Sequence, residues 1–351
     1  MIDWLSMVVP CHHLEAITGG RVVSVKPSGE VAWECRKRAT VEGSFSTGLQ
    51  IRTAEHESAG QCTHLEVSGN PVKFFQGHNV WGTDDLGGLV LETMAHLVQA
   101  LGLTPTVEDR AAWLAGNVRL TRVDVTDSFH LAGIGEVLSW LRAADQTAHL
   151  SHRGRGQLVK GSTLYFGKNS RRWSLKLYSK GQEIRAKGHG QDAILSLPHA
   201  VAWADKTLRA ELTIRAMELK RLGLDVVTAW LPLDGVPFDS LAMLREKLGA
   251  MTMTTNRTLS DDVLSTLTTS QRLAYTAWVA GDDLRAILPN GSFYRLRSKL
   301  LPHGVDIATV QPKESASNVV PLFRVLEAVP APVPDWATGT PLYFEPRRAY
   351  A

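Results

Sequence analysis

The segment RRWSLKLYSKGQEI, residues 171–184, constrains the fold more than any other part of the chain. In a β-strand, successive side chains point to opposite faces of the sheet. Alternate residues therefore form an apolar face and a polar face: Trp173, Leu175 and Leu177 on the first, and Lys176, Tyr178 and Lys180 on the second. We expect the apolar face to be buried. The polar face then holds a phenol between two ammonium groups.

Strand-like runs fill most of the first 215 residues. We predict strands at Ile2–Val9, Arg21–Val25, Val31–Glu34, Ala39–Glu42, Leu49–Ala54, Thr63–Ser68, Arg119–Phe129, Ser162–Gly167, Ser174–Ser179 and Thr207–Ile214. Two longer runs, Leu86–Leu101 and Ile134–Ala144, have the apolar spacing of helices. The sequence therefore predicts an α+β fold, an antiparallel sheet with helices on one face.

After residue 215 the pattern becomes helical. The predicted helices are Ala216–Leu222, Asp239–Leu248, Ser270–Val279, Asp283–Leu288 and Ser292–Leu301. The last three, with a Gly-containing turn before a basic helix, have helix-turn-helix proportions, and an ordinary three-helix packing unit is the alternative. We divide the chain into an α+β domain at 1–225, a helical domain at 226–330, which binds DNA in the helix-turn-helix interpretation, and an irregular Pro-rich tail at 331–351.

Basic residues are concentrated in one region of a nearly balanced chain. The net charge is +3, whereas residues 151–190 contain ten Lys or Arg and one acid, Glu183. Aromatic residues lie between these basic residues, a combination that suits single-stranded nucleic acid. A solvated basic face is the alternative. No apolar run approaches the ~20 residues needed to cross a bilayer. The three cysteines lack CxxC pairing, which argues against a zinc site and suits a reducing cytoplasm.

Tyr178 is the residue that we expect to carry chemistry. A phenol is a poor nucleophile at neutral pH because its pKa is roughly 10. Lys176 and Lys180 are expected to lower that pKa and to attract a phosphodiester. Attack on phosphorus forms a phosphotyrosine and frees a sugar hydroxyl, so the strand can later be resealed. A sheet tyrosine between two solvated lysines is the alternative.

Such a transfer needs charge stabilisation, usually from a hard divalent cation, here Mg²⁺ or Mn²⁺. Candidate ligands lie in three segments: Asp124 in TRVDVTDSF (121–129), Glu211 in LRAELTIR (208–215) and His78 in FFQGHNVWG (74–82). A carboxylate in an apolar strand must be paired or metal-bound. Each acid is therefore equally consistent with a buried salt bridge, for Asp124 with Arg122 or Arg209. A lone His is more often structural.

Several segments, in this order, make the chain resemble the replication initiators of filamentous phages, the gene II/X family. They are the MID start, NPVKFFQGHNVWGTDDL (70–86), RVDVT (122–126), LKLYSKGQEI (175–184), LRAELTIRAMELKRLGL (208–224), LPNGSFYRL (288–296), SNVVPL (317–322) and PDW (334–336). The resemblance implies a site-specific endonuclease that nicks one strand to start rolling-circle replication and later rejoins it. The chain lacks the His-hydrophobe-His metal pair of many rolling-circle nickases.

The resemblance also implies roles for individual residues. Tyr178 is the expected nucleophile of a Y-x-K-x-x-E motif that Lys180 and Glu183 complete, and Asp124, Glu211 and His78 are the expected metal ligands. The residues that we predict to bind DNA are Lys168, Arg171, Arg172, Lys176, Arg209, Arg295 and Arg297. Tyr165, on the neighbouring hairpin strand, is a candidate second nucleophile with a structural role as the alternative.

In this interpretation residues 1–225 form the nicking domain, with a core sheet like the RRM-like fold of replication initiators. The expected partners are origin DNA, single- and double-stranded, and the host helicase and polymerase, in the cytoplasm of a bacterial host and without a membrane. Two other functions are consistent with the residues. One is a non-catalytic origin-binding or regulatory protein, and the other is a metal-dependent nuclease that activates water.

Overall fold

A nine-stranded antiparallel sheet organises the protein in the computed structural model, which describes residues 1–45, 47–56, 61–188, 191–253, 259, 261–303, 305–308, 310 and 331–346. The strands are β1 Ile2–His13, β2 Arg21–Val25, β3 Val31–Arg36, β4 Ala39–Glu42, β5 Gly48–His56, β6 Cys62–Gly69, β7 Arg119–His130, β8 Ala148–Leu150, β9 Gly154–Arg155, β10 Gln157–Val159, β11 Thr163–Phe166, β12 Trp173–Ser179, β13 Thr207–Arg215 and β14 Met251–Met253.

The helices lie between and after these strands. They are α1 Pro71–Gln76, α2 Leu86–Leu101, α3 Val107–Leu114, α4 Ile134–Thr147, α5 Lys180–Ile184, α6 Asp192–Leu195, α7 Pro198–Asp205, α8 Ala216–Leu222, α9 Ala242–Gly249, α10 Asp261–Thr266, α11 Thr269–Val279, α12 Leu284–Ile287 and α13 Asn290–Leu300. Two short 3₁₀ turns cover Val227–Trp230 and Leu301–His303. None of the helices in the described ranges is long and apolar enough to cross a membrane.

The strand order of the large sheet is β10-β11-β12-β13-β7-β1-β6-β5-β4. Strands β12, β13, β7 and β1 are consecutive neighbours in it, and each pair is antiparallel. The predicted α+β fold with an antiparallel sheet is confirmed. Strand β12 begins and ends close to its predicted limits because its alternating pattern matches burial on one face.

One face of the sheet forms the main hydrophobic core. Leu175 on β12, Leu212 on β13 and Val123 on β7 are buried there against the long helices α2 and α4. Trp140 and Leu141 of α4 fill this interface and are almost completely buried. Because these apolar residues alternate with polar ones, the opposite face of the same strands carries the charged side chains.

The opposite face is partly covered by short elements. Val80 and Trp81, from the loop after α1, form a smaller apolar cluster with residues of α5–α7 and with Ala337. The indole of Trp81 donates a 2.7 Å hydrogen bond to the carbonyl of Leu342 and meets the ring of Trp336 edge to face. The C-terminal residues 331–346 therefore pack directly beside the polar face.

The C-terminal helices have their own core. Trp278 of α11 and Phe293 of α13 are buried together with Leu300. Residues as far as Met251 still belong to the main core, among them Trp230. The domain limits at 225 and 330, and the DNA-reading role of the helices, stay predictions. The motif at 317–322 lies outside the described residues.

Leu141→Ala tests the packing of α4 on the sheet. Removing a fully buried leucine side chain leaves a cavity, so the free energy of unfolding should fall by about 2–5 kcal/mol. Chemical denaturation measures the change. The matched control is Leu114→Ala on α3, where the side chain is 50% exposed and the expected loss is below about 0.5 kcal/mol. Equal losses in the two variants would contradict the described packing.

Candidate active site

Three neighbouring strands bring the candidate chemical groups onto the polar face. Residues directly opposite each other in an antiparallel pair point to the same side, and diagonal neighbours on that side are roughly 7–8 Å apart. Tyr178 lies opposite Arg209, and Glu211 lies opposite both Lys176 and Thr126. Asp124, two residues before Thr126, follows on the same face. Tyr178, Glu211 and Asp124 therefore form a diagonal row across β12, β13 and β7.

Asp3 adds a third carboxylate that the sequence analysis missed. It lies where the pairing of β1 with β7 shifts register, next to Trp4, which is opposite Asp124. Its Oδ1 accepts hydrogen bonds from Asn70 Nδ2 at 3.0 Å and Asn79 Nδ2 at 2.9 Å. The sequence feature that could have identified Asp3 is that it is an acid inside a strongly apolar N-terminal strand.

Asp124 is 1% exposed and is held by Arg122. The guanidinium donates from Nε to Oδ1 at 2.8 Å and from Nη2 to Oδ2 at 2.5 Å. Burial raises the pKa of Asp124 to about 7, and the negative charges of Glu211 and Asp3 act in the same direction against Arg122. Asp124 therefore forms the salt bridge with Arg122 that the sequence analysis gave as the alternative to metal binding.

Lys176 bridges Glu211 and Tyr178. Its ammonium is 2.9 Å from Glu211 Oε2 and 4.1 Å from the centre of the Tyr178 ring. Burial opposes the charged form of Lys176, but Glu211 outweighs that effect and raises the pKa of the ammonium. Lys176 therefore stays positively charged while it covers the phenol and neutralises the acid.

The expected ionisation of Tyr178 is not found in this structure. The side chain is 2% exposed, and burial raises its pKa well above 10, with Glu211 adding to the rise. The prediction that Lys176 and Lys180 lower this pKa is wrong, because each ammonium is paired with a carboxylate and the phenol itself is desolvated. Tyr178 is a neutral phenol here.

Lys180 does not share a strand face with Tyr178, as the sequence analysis predicted. Strand β12 ends at Ser179, whose hydroxyl caps α5, and Lys180 is the first residue of that helix. Its fully buried ammonium donates to Asn79 Oδ1 at 2.7 Å and to Glu183 Oε2 at 2.6 Å. Burial lowers the pKa of Lys180 to about 8, although Glu183 opposes the change. Lys180 and Glu183 are thus in contact.

His78 does not fit the predicted role of metal ligand. Its Nε2 donates to the carbonyl of Leu342 at 2.9 Å, so Nδ1 is the acceptor and faces the N–H of Val80 and the amide of Gln76. Burial lowers the pKa of His78 to about 3, with Lys180 adding to the decrease. Both ring nitrogens are used inside the protein, which makes His78 a structural residue of the loop.

No group of three or more His, Cys, Asp and Glu side chains in the described part of the chain is arranged to hold a metal ion. The oxygen donors of Asp3, Asp124 and Glu211 still suit Mg²⁺ or Mn²⁺, which prefer carboxylates. They lie on one face, and their charges raise the pKa of Asp124. A bound cation would replace the ion pairs that Arg122 and Lys176 now make.

Apart from Lys176, which is paired with Glu211, the predicted DNA-binding residues fall into two groups. The exposed members lie at the β11–β12 turn or on α13 and are Lys168, Arg171, Arg172 and Arg295. Arg172 also lies 4.0 Å from a carboxylate oxygen of Glu218. Tyr165 is partly exposed on β11 opposite Lys176, and its ring lies 5.0 Å from the ammonium of Lys168.

Two predicted DNA-binding arginines are instead tied to the protein. Arg209 is 1% exposed and donates to the carbonyls of Asn79 and Val80 and to Ser128 Oγ, so it fixes the loop after α1 over the sheet. Arg297 makes two hydrogen bonds to Asp306, of 2.7 and 2.8 Å. The DNA-binding prediction is therefore wrong for Arg209, and the Arg297 guanidinium already holds a carboxylate.

Comparison with known proteins matches both parts of the chain to family models. Residues 1–232 match the model of the N-terminal region of the phage replication-associated protein, the gene II protein, and residues 259–343 match the model of its C-terminal region. The replication-associated protein of Enterobacteria phage I2-2, a gene II protein, is 39% identical over 337 residues, which cover 95% of this chain and 96% of that protein.

A solved structure of a rolling circle replication initiator from Geobacillus stearothermophilus aligns with 75% of this chain and 89% of its own. The identity is 14% and the TM-score is 0.32. A similarity this weak supports no inference about the site.

His78 should make the protein less stable in acid. The unfolded state binds a proton below pH 6.5, whereas the folded state resists protonation down to about pH 3, so stability rises with pH across this window. Between pH 7 and pH 5 the wild type should lose roughly 2 kcal/mol through this residue. Denaturation of His78→Gln should lack that loss. His303→Gln, which removes an exposed histidine, is the control and should behave like wild type.

Proposed function

We propose that this chain, which belongs to the gene II family of phage replication-associated proteins, is a rolling-circle initiator that nicks one strand of an origin and later rejoins it. Membership of this family bears out the resemblance to the gene II/X proteins. The observation that carries the proposal is the diagonal row of Tyr178, Glu211 and Asp124 on one sheet face.

In the proposed reaction the hydroxyl oxygen of Tyr178 attacks a phosphorus atom of the strand. The new O–P bond links the protein to the 5′ phosphate, and the bond to the 3′ oxygen breaks. Because the pKa of Tyr178 is raised, the phenol must give up its proton as the attack proceeds. The proposed acceptor of that proton is solvent water, because Glu211 and Asp124 are the proposed metal ligands.

Lys180 is the proposed proton donor to the leaving 3′ oxygen. An ammonium has three N–H groups, and Asn79 and Glu183 accept from two of them. Its pKa of about 8 suits a group that gives up a proton near neutral pH. The freed 3′ hydroxyl would prime the host polymerase behind the host helicase. A later 3′ hydroxyl would attack the phosphotyrosine and restore the strand.

A strand must uncover Tyr178 before this chemistry can occur. Lys176 lies over the ring, and the Asn79–Val80 backbone is fastened to Arg209 beside it. A phosphodiester would compete with Glu211 for the ammonium of Lys176 and so draw it away from the ring. The exposed cations of the β11–β12 turn would hold the same strand.

Asp124 and Glu211, together with Asp3, would hold Mg²⁺ or Mn²⁺. When bound, the ion would neutralise charge that develops on the non-bridging phosphate oxygens. Arg122 and Lys176 are the chain's own cations at these carboxylates, and they are the groups that would move aside. The proposed place of action is the cytoplasm of the bacterial host, with origin DNA as the partner.

Tyr178→Phe should abolish the covalent complex between protein and DNA and leave origin binding unchanged. The assay is incubation with supercoiled origin DNA and Mg²⁺, followed by denaturing electrophoresis of the complex. Tyr165→Phe, on the neighbouring strand, is the matched control and should still form the complex. A covalent complex formed by Tyr178→Phe would contradict the assignment of Tyr178 as the nucleophile. Nicks with free 5′ phosphates and no complex in wild type would favour a hydrolytic nuclease.

Asp124→Asn should slow metal-dependent nicking by about 100-fold or more, because several kcal/mol of charge stabilisation are lost. A chelator should stop the wild type, and added Mg²⁺ or Mn²⁺ should restore it. His78→Gln is the control, since both nitrogens of His78 are used within the protein. The rate of that variant should respond to metal as wild type does. An altered metal requirement in His78→Gln would contradict the ligand set.

A further inference from the structure

A cavity lies between the β8–β9 turn and the C-terminal helices α12 and α13, and Tyr178 is not one of its lining residues. Its volume is about 530 Å³, within the range of roughly 300–1,000 Å³ typical of small-molecule sites. The side chains that give it its character are Arg153 from the turn and Arg285, Tyr294 and Arg297 from the helices. The turn is tight, and His152 adopts a left-handed backbone with φ of 60°.

Two arginines of this cavity have no carboxylate partner among the residues that the structure describes. The guanidinium of Arg153 stacks at 4.1 Å on the ring of Trp173, and its Nε is buried without a hydrogen-bond partner. Arg285 donates to the hydroxyl of Tyr294 at 3.2 Å. Arg153 Nη1 also donates to the carbonyl of His152 at 3.3 Å. Because a guanidinium has five N–H groups, each of the two arginines keeps others that can donate to an anion.

The backbone of the turn is shaped to let Arg285 approach. Gly154 has a φ of +75°, and a Cβ at this position would lie 3.0 Å from Nη1 of Arg285. Any other residue would therefore be strained and would press on the guanidinium. Gly154 therefore allows the guanidinium of Arg285, from α12, to lie directly against the β8–β9 turn.

Glu218 attracts the guanidinium of Arg153, but this acid is already bonded to Arg221. Arg297 and Asp306 neutralise each other through two hydrogen bonds. Burial lowers the pKa of His149, so this ring is neutral at physiological pH despite the nearby Asp306. The cavity therefore has a net positive charge from Arg153 and Arg285, and Tyr294, 50% exposed, offers an aromatic surface at its edge.

We infer that this cavity binds one phosphorylated nucleotide unit of a DNA strand, with the phosphate on Arg153 and Arg285 and the base against Tyr294. Arginine and an exposed aromatic ring are the pair that binds single strands without reading their sequence. The choice of DNA over a free nucleotide rests on the proposed function. A strand bound here would connect the sheet domain to the C-terminal helices at a point separate from the nicking residues.

The test measures binding of a short 5′-labelled oligothymidylate to the full chain by fluorescence anisotropy. All proteins carry Tyr178→Phe, so cleavage plays no part. Arg285→Gln should weaken binding about 10-fold and lower the salt dependence by about one phosphate contact, roughly 0.7 in the slope of log K against log salt. Arg285→Lys should lie in between, because it keeps the charge but not the planar fork.

Arg272→Gln is the matched control, since it removes one exposed arginine from the same helical region outside the cavity. It should bind like the parent, and equal unfolding midpoints should show that all variants are folded. Equal weakening by Arg272→Gln and Arg285→Gln, or none by either, would overturn the site. Binding of dTMP alone that Arg285→Gln abolishes, with oligothymidylate binding intact, would overturn DNA as the ligand.

These outcomes are independent of the nicking proposal. If wild-type protein forms no covalent complex but Arg285→Gln still selectively loses the oligothymidylate, the cavity stands and the nicking assignment fails. If the complex forms at Tyr178 and Arg285→Gln binds the strand as tightly as its parent, the cavity is overturned and nicking stands.

Discussion

The polar face of the sheet depends on the pairing of buried charges. Asp124, Glu211 and Lys180 are nearly or fully buried, and an ionised side chain in that position is costly without a partner. The chain supplies Arg122 for Asp124, Lys176 for Glu211, and Glu183 with Asn79 for Lys180. These pairs allow the strands β7, β12 and β13 and the first turn of α5 to carry charged residues beside a hydrophobic core.

The same ion pairs keep Tyr178 unreactive. Lys176 is bound to Glu211 and lies over the ring of Tyr178, so the phenol is shielded from water and its pKa is raised. A polyanionic strand offers new partners to the cations, and a divalent cation offers a new partner to the acids. In the proposed function, DNA and a divalent cation therefore activate the site by replacing these ion pairs. Without DNA, Tyr178 would stay buried and unreactive.

In the proposed second DNA contact, by contrast, the cations are not paired with carboxylates. Around Tyr178 nearly every charge has a partner, whereas Arg153 and Arg285 form no salt bridge with a carboxylate of the described residues. The carboxylate that lines their cavity, Asp306, is bonded to Arg297. Guanidiniums that stack on aromatic rings tolerate this situation because they are weakly hydrated. Such a site can bind phosphate without first breaking an ion pair. Strand capture and strand cleavage could thus be separate steps on one chain.

Much of this architecture can be recognised from local sequence alone. The strands Arg21–Val25 and Ala39–Glu42 and the helices Leu86–Leu101 and Ala216–Leu222 have the limits that their patterns predict. Which neighbours share a face with Asp124 or with Tyr178 inside its own strand was also predictable, whereas the shared face of Asp124, Glu211 and Tyr178 follows from the strand pairing. A two-residue period decides which way a strand residue points, and that period is visible in a few neighbouring letters.

Burial and partnership were decided only in three dimensions. His78 is bonded to Leu342, 264 positions away, and Arg209 is bonded to the backbone of Asn79 and Val80, about 130 positions away. Asp3 joins the acids through a shift in strand pairing, and Tyr178 lies opposite Arg209, which holds a loop from another part of the chain. The protonation state and the bonding of a side chain depend on the groups that surround it in the fold. Contacts between segments distant in sequence produce no local sequence pattern, so they could not be predicted.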